Sequence, residues 1–105
     1  MVTLFQGEKR WHCRVFPTEQ FELFITNNVK VDVKFAASHF LGNRLQRDKK
    51  DFEEGEFIVF IKDLAEGETY RVLIKRHIER TQFGKRVRPE VLQVEKVLWV
   101  VKLHR

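Results

Sequence analysis

The segment from Phe57 to Glu79 constrains this chain more than any other. Phe57-Ile58-Val59-Phe60-Ile61 is an unbroken apolar run. It is long enough for a buried strand and too short for a helix of its own. The acidic stretch Asp63–Glu68, with Gly67 inside it, reads as a turn. Thr69–Glu79 then alternates, with Tyr70, Val72, Ile74 and Ile78 to one side and Arg71, Leu73, Lys75 and His77 to the other. Period-two alternation is the mark of a strand with one wet face. Two strands joined by a short acidic turn predict an antiparallel pair, which the rest of the chain has to cover.

Upstream, Arg10–Phe16 alternates in the same way and predicts another strand, with Trp11, Cys13 and Val15 inward. Pro17-Thr18-Glu19 suits a helix start, and Phe21, Phe24 and Ile25 recur at helical spacing. A helix ending near Asn27-Asn28 is expected there. Val29–Phe35 predicts a strand, with Val29, Val31, Val33 and Phe35 on one face and Lys30, Asp32 and Lys34 on the other. Ala36–Arg47 fits a second helix, although Gly42 costs it about 1 kcal/mol of propensity. Thr81–Pro89 reads as a loop and Val97–Leu103 as a last, central strand that includes Trp99. The expected fold is α+β: one domain over residues 1–105 in a small, mostly antiparallel barrel with one or two helices, which leaves no bare strand edges.

Composition narrows the function classes. Ten Phe and 43% hydrophobic residues argue against disorder. No apolar run reaches membrane-spanning length, and the first residues lack the order of a secretion signal. Cys13 is the only cysteine, so neither a disulfide framework nor a thiolate metal site is expected. His12, His39, His77 and His104 show no metal-ligand spacing. A cytoplasmic location without metal, cofactor or membrane is the default expectation. Charge is unevenly spread. Residues 48–68 hold three Lys/Arg against eight Asp/Glu, whereas residues 71–105 hold ten against three. A basic third on a small domain points to a polyanion, with nucleic acid first.

Four stretches then carry a resemblance. WHCRVFPTEQFELFITNNVKVDVKF resembles the opening of ASCH domains, a branch of the PUA-like barrels. RDKKDFEEGEFIVF resembles their short element of basic, acidic, Phe and Gly residues that leads into an apolar strand. TYRVLIKRHIE and VLWVVKL fall where the remaining barrel strands would lie. The resemblance implies a PUA-like barrel with a cleft for RNA or a modified nucleobase. Its alternative implication is a small amidohydrolase acting on an acylated nucleoside such as N4-acetylcytidine. In this sequence no Thr lies within the strand predicted around Lys30.

The candidate site residues follow from both lines. Lys30, Asp32 and Lys34 form a charged ladder that could orient a phosphate or base, or else a solvated outer face. Arg80, Lys85, Arg86 and Arg88 crowd a short stretch around Gly84 with Phe83 among them, the pairing of charge and ring that grips single strands. Arg71 and Lys75 extend that basic surface along a strand. The primary expectation is non-enzymatic RNA binding with no catalytic residues. A protein-interaction module of a phage or mobile element is the remaining alternative, and oligomeric state is open.

Overall fold

A computed structural model describes residues 7–98. The strands are β1 (Lys9–Val15), β2 (Glu22–Thr26), β3 (Gly55–Asp63), β4 (Glu68–Thr81) and β5 (Gly84–Val97), with one helix, α1 (Val33–Arg47), between β2 and β3. They form a five-stranded sheet in the order β2-β1-β3-β4-β5. Every pairing is antiparallel. Among the described residues the sheet stays open, with β2 and β5 as its edges. The α+β class and antiparallel sheet expected from sequence are therefore present. Most of the strand predicted at Val97–Leu103, with Trp99, and His104 lie outside the described residues.

The apolar run from Phe57 and the alternating segment after it form the paired strands β3 and β4 inside the sheet. β3 and β4 pair from Asp63↔Glu68 to Gly55↔Arg76. Asp63 closes the turn between them: its carboxylate accepts from the N–H groups of Ala65 (2.9 Å) and Glu66 (3.2 Å), and its carbonyl accepts from Gly67. The same carboxylate meets the Lys9 ammonium at 2.8 Å, and that ammonium lies over the Trp11 ring. Burial raises the Asp63 pKa, but Lys9 and the two N–H groups outweigh it and hold the carboxyl below its usual value. Its contribution to stability is therefore present at neutral pH and is lost as the pH falls from about 4 through the lowered folded value. Asp63→Ala should cost about 2 kcal/mol at pH 7. Urea unfolding at pH 7 and at pH 3 checks this: the gap between variant and parent should shrink at the lower pH.

Two expected elements exchange places. Residues 22–26 form a strand where a helix was expected: three apolar positions within five residues are too few to fix a helical period, and only Phe24 of the three packs on the core. Phe24 faces the core and Leu23 and Ile25 face solvent. β2 gives β1 a second neighbour, and the Thr26 hydroxyl accepts from the buried Trp11 indole at 3.2 Å. The strand predicted at Val29–Phe35 is instead a turn and the start of α1. Asp32, in extended backbone, caps the helix by accepting from the Phe35 N–H at 2.9 Å. A capping Asp followed by helix formers outweighs four alternating apolar residues.

α1 lays Ala36, Ala37, Phe40, Leu41 and Leu45 on one face of the sheet. There they meet Trp11, Cys13, Val59, Ile61, Val72 and Ile74, all fully buried. Two alanines let the helix approach the strands closely. Its C-terminal end is tied to β2 by Glu22, which takes Arg44 at 2.6 Å and both terminal nitrogens of Arg47. The segment predicted as a loop, Thr81–Pro89, is the far end of a long hairpin: β4 and β5 pair out to Thr81↔Gly84, leaving only Gln82 and Phe83 as the turn.

Candidate nucleic-acid interface

Cross-strand register assigns every strand residue to one of two faces. The face under α1 holds the core. The opposite face carries no described helix. One of its rows runs Arg14, Phe60, Arg71, Glu95 across β1, β3, β4 and β5. The next is Ile58, Leu73, Gln93, and the one after it Glu56, Lys75, Glu90. Beyond those, His77 faces Arg88 and Glu79 faces Arg86. Together with Arg10 and Lys62, this face holds seven Lys/Arg against four Glu.

Its chemistry is mixed in a particular way. The Arg14 guanidinium lies 4.3 Å from the centre of the Phe60 ring and 5.3 Å from that of Phe21, with its Nη1 donating to the Thr18 carbonyl. His12 lies 6.4 Å from Phe21. Leu23 and Ile25 stand exposed beside them on β2. Arg71 meets Glu95 at a loose 3.5 Å. Charge interleaved with rings on an open sheet lets a flexible polyanion lay its backbone on the cations and its bases on the apolar rows.

The predicted site residues divide into groups. Arg71, Lys75, Arg86 and Arg88 fall on the open face, as one surface. Arg80 and Lys85 pair with each other on the reverse side of the same hairpin, and the Lys85 ammonium lies over the Phe52 ring. Lys30, Asp32 and Lys34 do not form a strand ladder. Lys30 sits in a turn where its N–H donates to the Asn28 side chain, Asp32 is spent on capping α1, and Lys34 lies in the first helical turn. Asp32 and Lys34 border a shallow hollow of about 560 Å³ on the helix side, with Phe35, His39, Pro89 and Val91. That side is turned away from Arg71 and Lys75. The Thr26 hydroxyl, a conceivable partner of Lys30 in hydrolysis, is buried and engaged with Trp11 and the Lys9 carbonyl.

Sequence reasoning missed Arg14, Phe60 and Lys62. Arg14 carried a signal, since His12 and Arg14 alternate with the buried Trp11 and Cys13. Phe60 carried none: in an unbroken apolar run nothing marks which residues face out.

Glu79 shapes the basic end of the surface. Its two oxygens meet Arg86 Nε at 3.0 Å and Arg88 Nη1 at 2.8 Å. Hydrogen bonds from Arg88 and Arg86 hold its carboxyl below the usual range, so it stays ionised. Two cations are thereby held apart at fixed positions for the loss of one net charge. Comparison with family models, curated proteins and solved structures finds no match to this chain.

Proposed function

We propose that this protein is a non-enzymatic nucleic-acid-binding domain whose ligand is RNA, held on the open face of the sheet and the hairpin that extends it. The observation that carries the reading is the convergence of Arg14, Phe60, Arg71, Lys75, Arg86 and Arg88 on one face, which no helix covers among the described residues. The PUA-like barrel implied by the ASCH resemblance would place the ligand in a cleft. With β2 and β5 both standing as edges among the described residues, the reading rests on the open face instead.

Association should be dominated by phosphate contacts and so be steeply salt-dependent. The test is anisotropy of a fluorescent single-stranded oligoribonucleotide of about a dozen nucleotides, since single-strand-binding OB-folds each occupy roughly 4–16 nucleotides. Raising salt from about 50 to about 200 mM should weaken binding by at least tenfold. No binding at the lower salt would remove the reading. Incubation with N4-acetylcytidine, followed by chromatography for cytidine, separates it from the hydrolase alternative.

A further inference from the structure

β3 ends its pairing at Gly55↔Arg76, but β4 and β5 continue together past that point. From His77↔Arg88 to Thr81↔Gly84, five residue pairs form a two-stranded ribbon with no third strand beside it among the described residues. At about 3.3 Å per residue the ribbon reaches roughly 16 Å beyond the sheet. At its base the Glu54 carboxylate accepts from the Ile78 N–H at 2.9 Å.

The tip is ordered by its own hydrogen bonds. The Thr81 hydroxyl donates to the Gly84 carbonyl at 2.9 Å and accepts from the Phe83 N–H at 3.1 Å. Gly84 supplies the positive φ of 123° that the turn requires. The backbone of Phe83 is thus held at the end of the ribbon, and its side chain is 90% exposed. No packing explains it. It is flanked by cations on both faces of the ribbon, Arg80 and Lys85 on one and Arg86 and Arg88 on the other.

We propose that this ribbon is an arm that selects unpaired nucleotides, with Phe83 stacking on or between bases while the four cations hold the flanking phosphates. The inference rests on the nucleic-acid reading above and adds to it the choice of single strand over duplex. The ligand geometry supports that choice. A-form duplexes have a major groove too deep and narrow for side chains to read, so RNA bases are reached where they are unpaired. A membrane surface is the competing partner for a basic hairpin with an apolar tip. One Phe between Gln82 and Gly84 offers little apolar area to a bilayer, whereas one ring is what a stacked base needs.

The test compares parent, Phe83→Ala and Phe83→Trp on a single-stranded 12-mer RNA carrying 2-aminopurine, on the same RNA annealed to its complement, and on vesicles of phosphatidylglycerol and phosphatidylcholine. The parent should change the 2-aminopurine fluorescence and prefer the single strand. Phe83→Ala should lose roughly ten- to a hundred-fold in affinity for it, with an unchanged salt slope because no charge is removed. Phe83→Trp should keep or improve on parental affinity. If the parent binds RNA and Phe83→Ala binds equally well, the arm is wrong and the open-face reading stands. Equal affinity of the parent for single strand and duplex also removes the arm. If the parent binds vesicles or nothing, and not RNA, both fall together.

Discussion

Replacing Lys85, Arg86 and Arg88 together with Ala should reduce affinity for single-stranded RNA on the order of 100-fold near 0.1 M salt, and lower the slope of log K against log salt by about 2. Three cations leave, and each single-strand phosphate contact contributes about 0.7 to that slope. The removal also leaves Glu79 without its two guanidinium partners, so an ionised carboxylate then faces the ligand. The loss should exceed that from an equal number of unpaired surface lysines. These side chains stand on the ribbon and cover none of the core, so the melting temperature should stay near that of the parent. Anisotropy titrations at four salt concentrations check the slope, and a thermal melt checks the fold. An unchanged slope would mean that the ribbon does not touch phosphate.

The second large effect concerns stability. Arg76 is the one buried cation among the described residues, 6% exposed and on the core side of β4. Its Nη2 donates to the Asp51 carbonyl at 2.6 Å and its Nε to the Glu53 carbonyl at 3.2 Å. Burial lowers its pKa, and the charges of Asp51 and Glu53 partly offset that. An arginine nonetheless stays protonated. The site is built around it: its strand partner is Gly55, which presents no side chain, and Gly42 of α1 lies next to its Nη1. Arg76→Ala should cost about 3 kcal/mol, since it empties a buried volume and strips the partners from two carbonyls. Arg76→Lys should recover only part, because an ammonium cannot fork to two carbonyls. Urea midpoints at pH 7 check both. A loss below about 0.5 kcal/mol for Ala, the range of an ordinary surface substitution, would show that the loop holds itself in place.

Arg76 also explains the stretch RDKKDFEEGEFIVF. Its mixture of charges looks like a solvated rim, and most of it is exposed. Yet its backbone is held by a residue more than twenty positions downstream. In the sequence only its parity distinguishes Arg76 from the neighbouring Arg71 and Lys75. It continues the inward series of Tyr70, Val72 and Ile74, so strict alternation points it at the core, and charge alone argues for the surface. The strands with one wet face, β1 and β4, and the apolar β3 were readable because burial follows period two. The element types of Phe21–Ile25 and Val29–Phe35 were not: the first holds too few apolar positions to fix a period, and in the second the Asp32 cap overrides the alternation. The basic cluster around Gly84 was visible as composition. That it forms a protruding ribbon depends on where β3 stops, a long-range fact that local pattern does not contain.

The central claim is that RNA lies on the uncovered face. The most direct measurement is a map of backbone amide shifts as a short single-stranded RNA is added to the isotopically labelled protein. Shifts should concentrate at Arg14, Phe60, Arg71, Lys75 and the ribbon from His77 to Arg88, and be near zero at Phe35, Ser38 and His39 on the outer side of α1. Shifts confined to that helical side, or none at saturating RNA, would contradict the account.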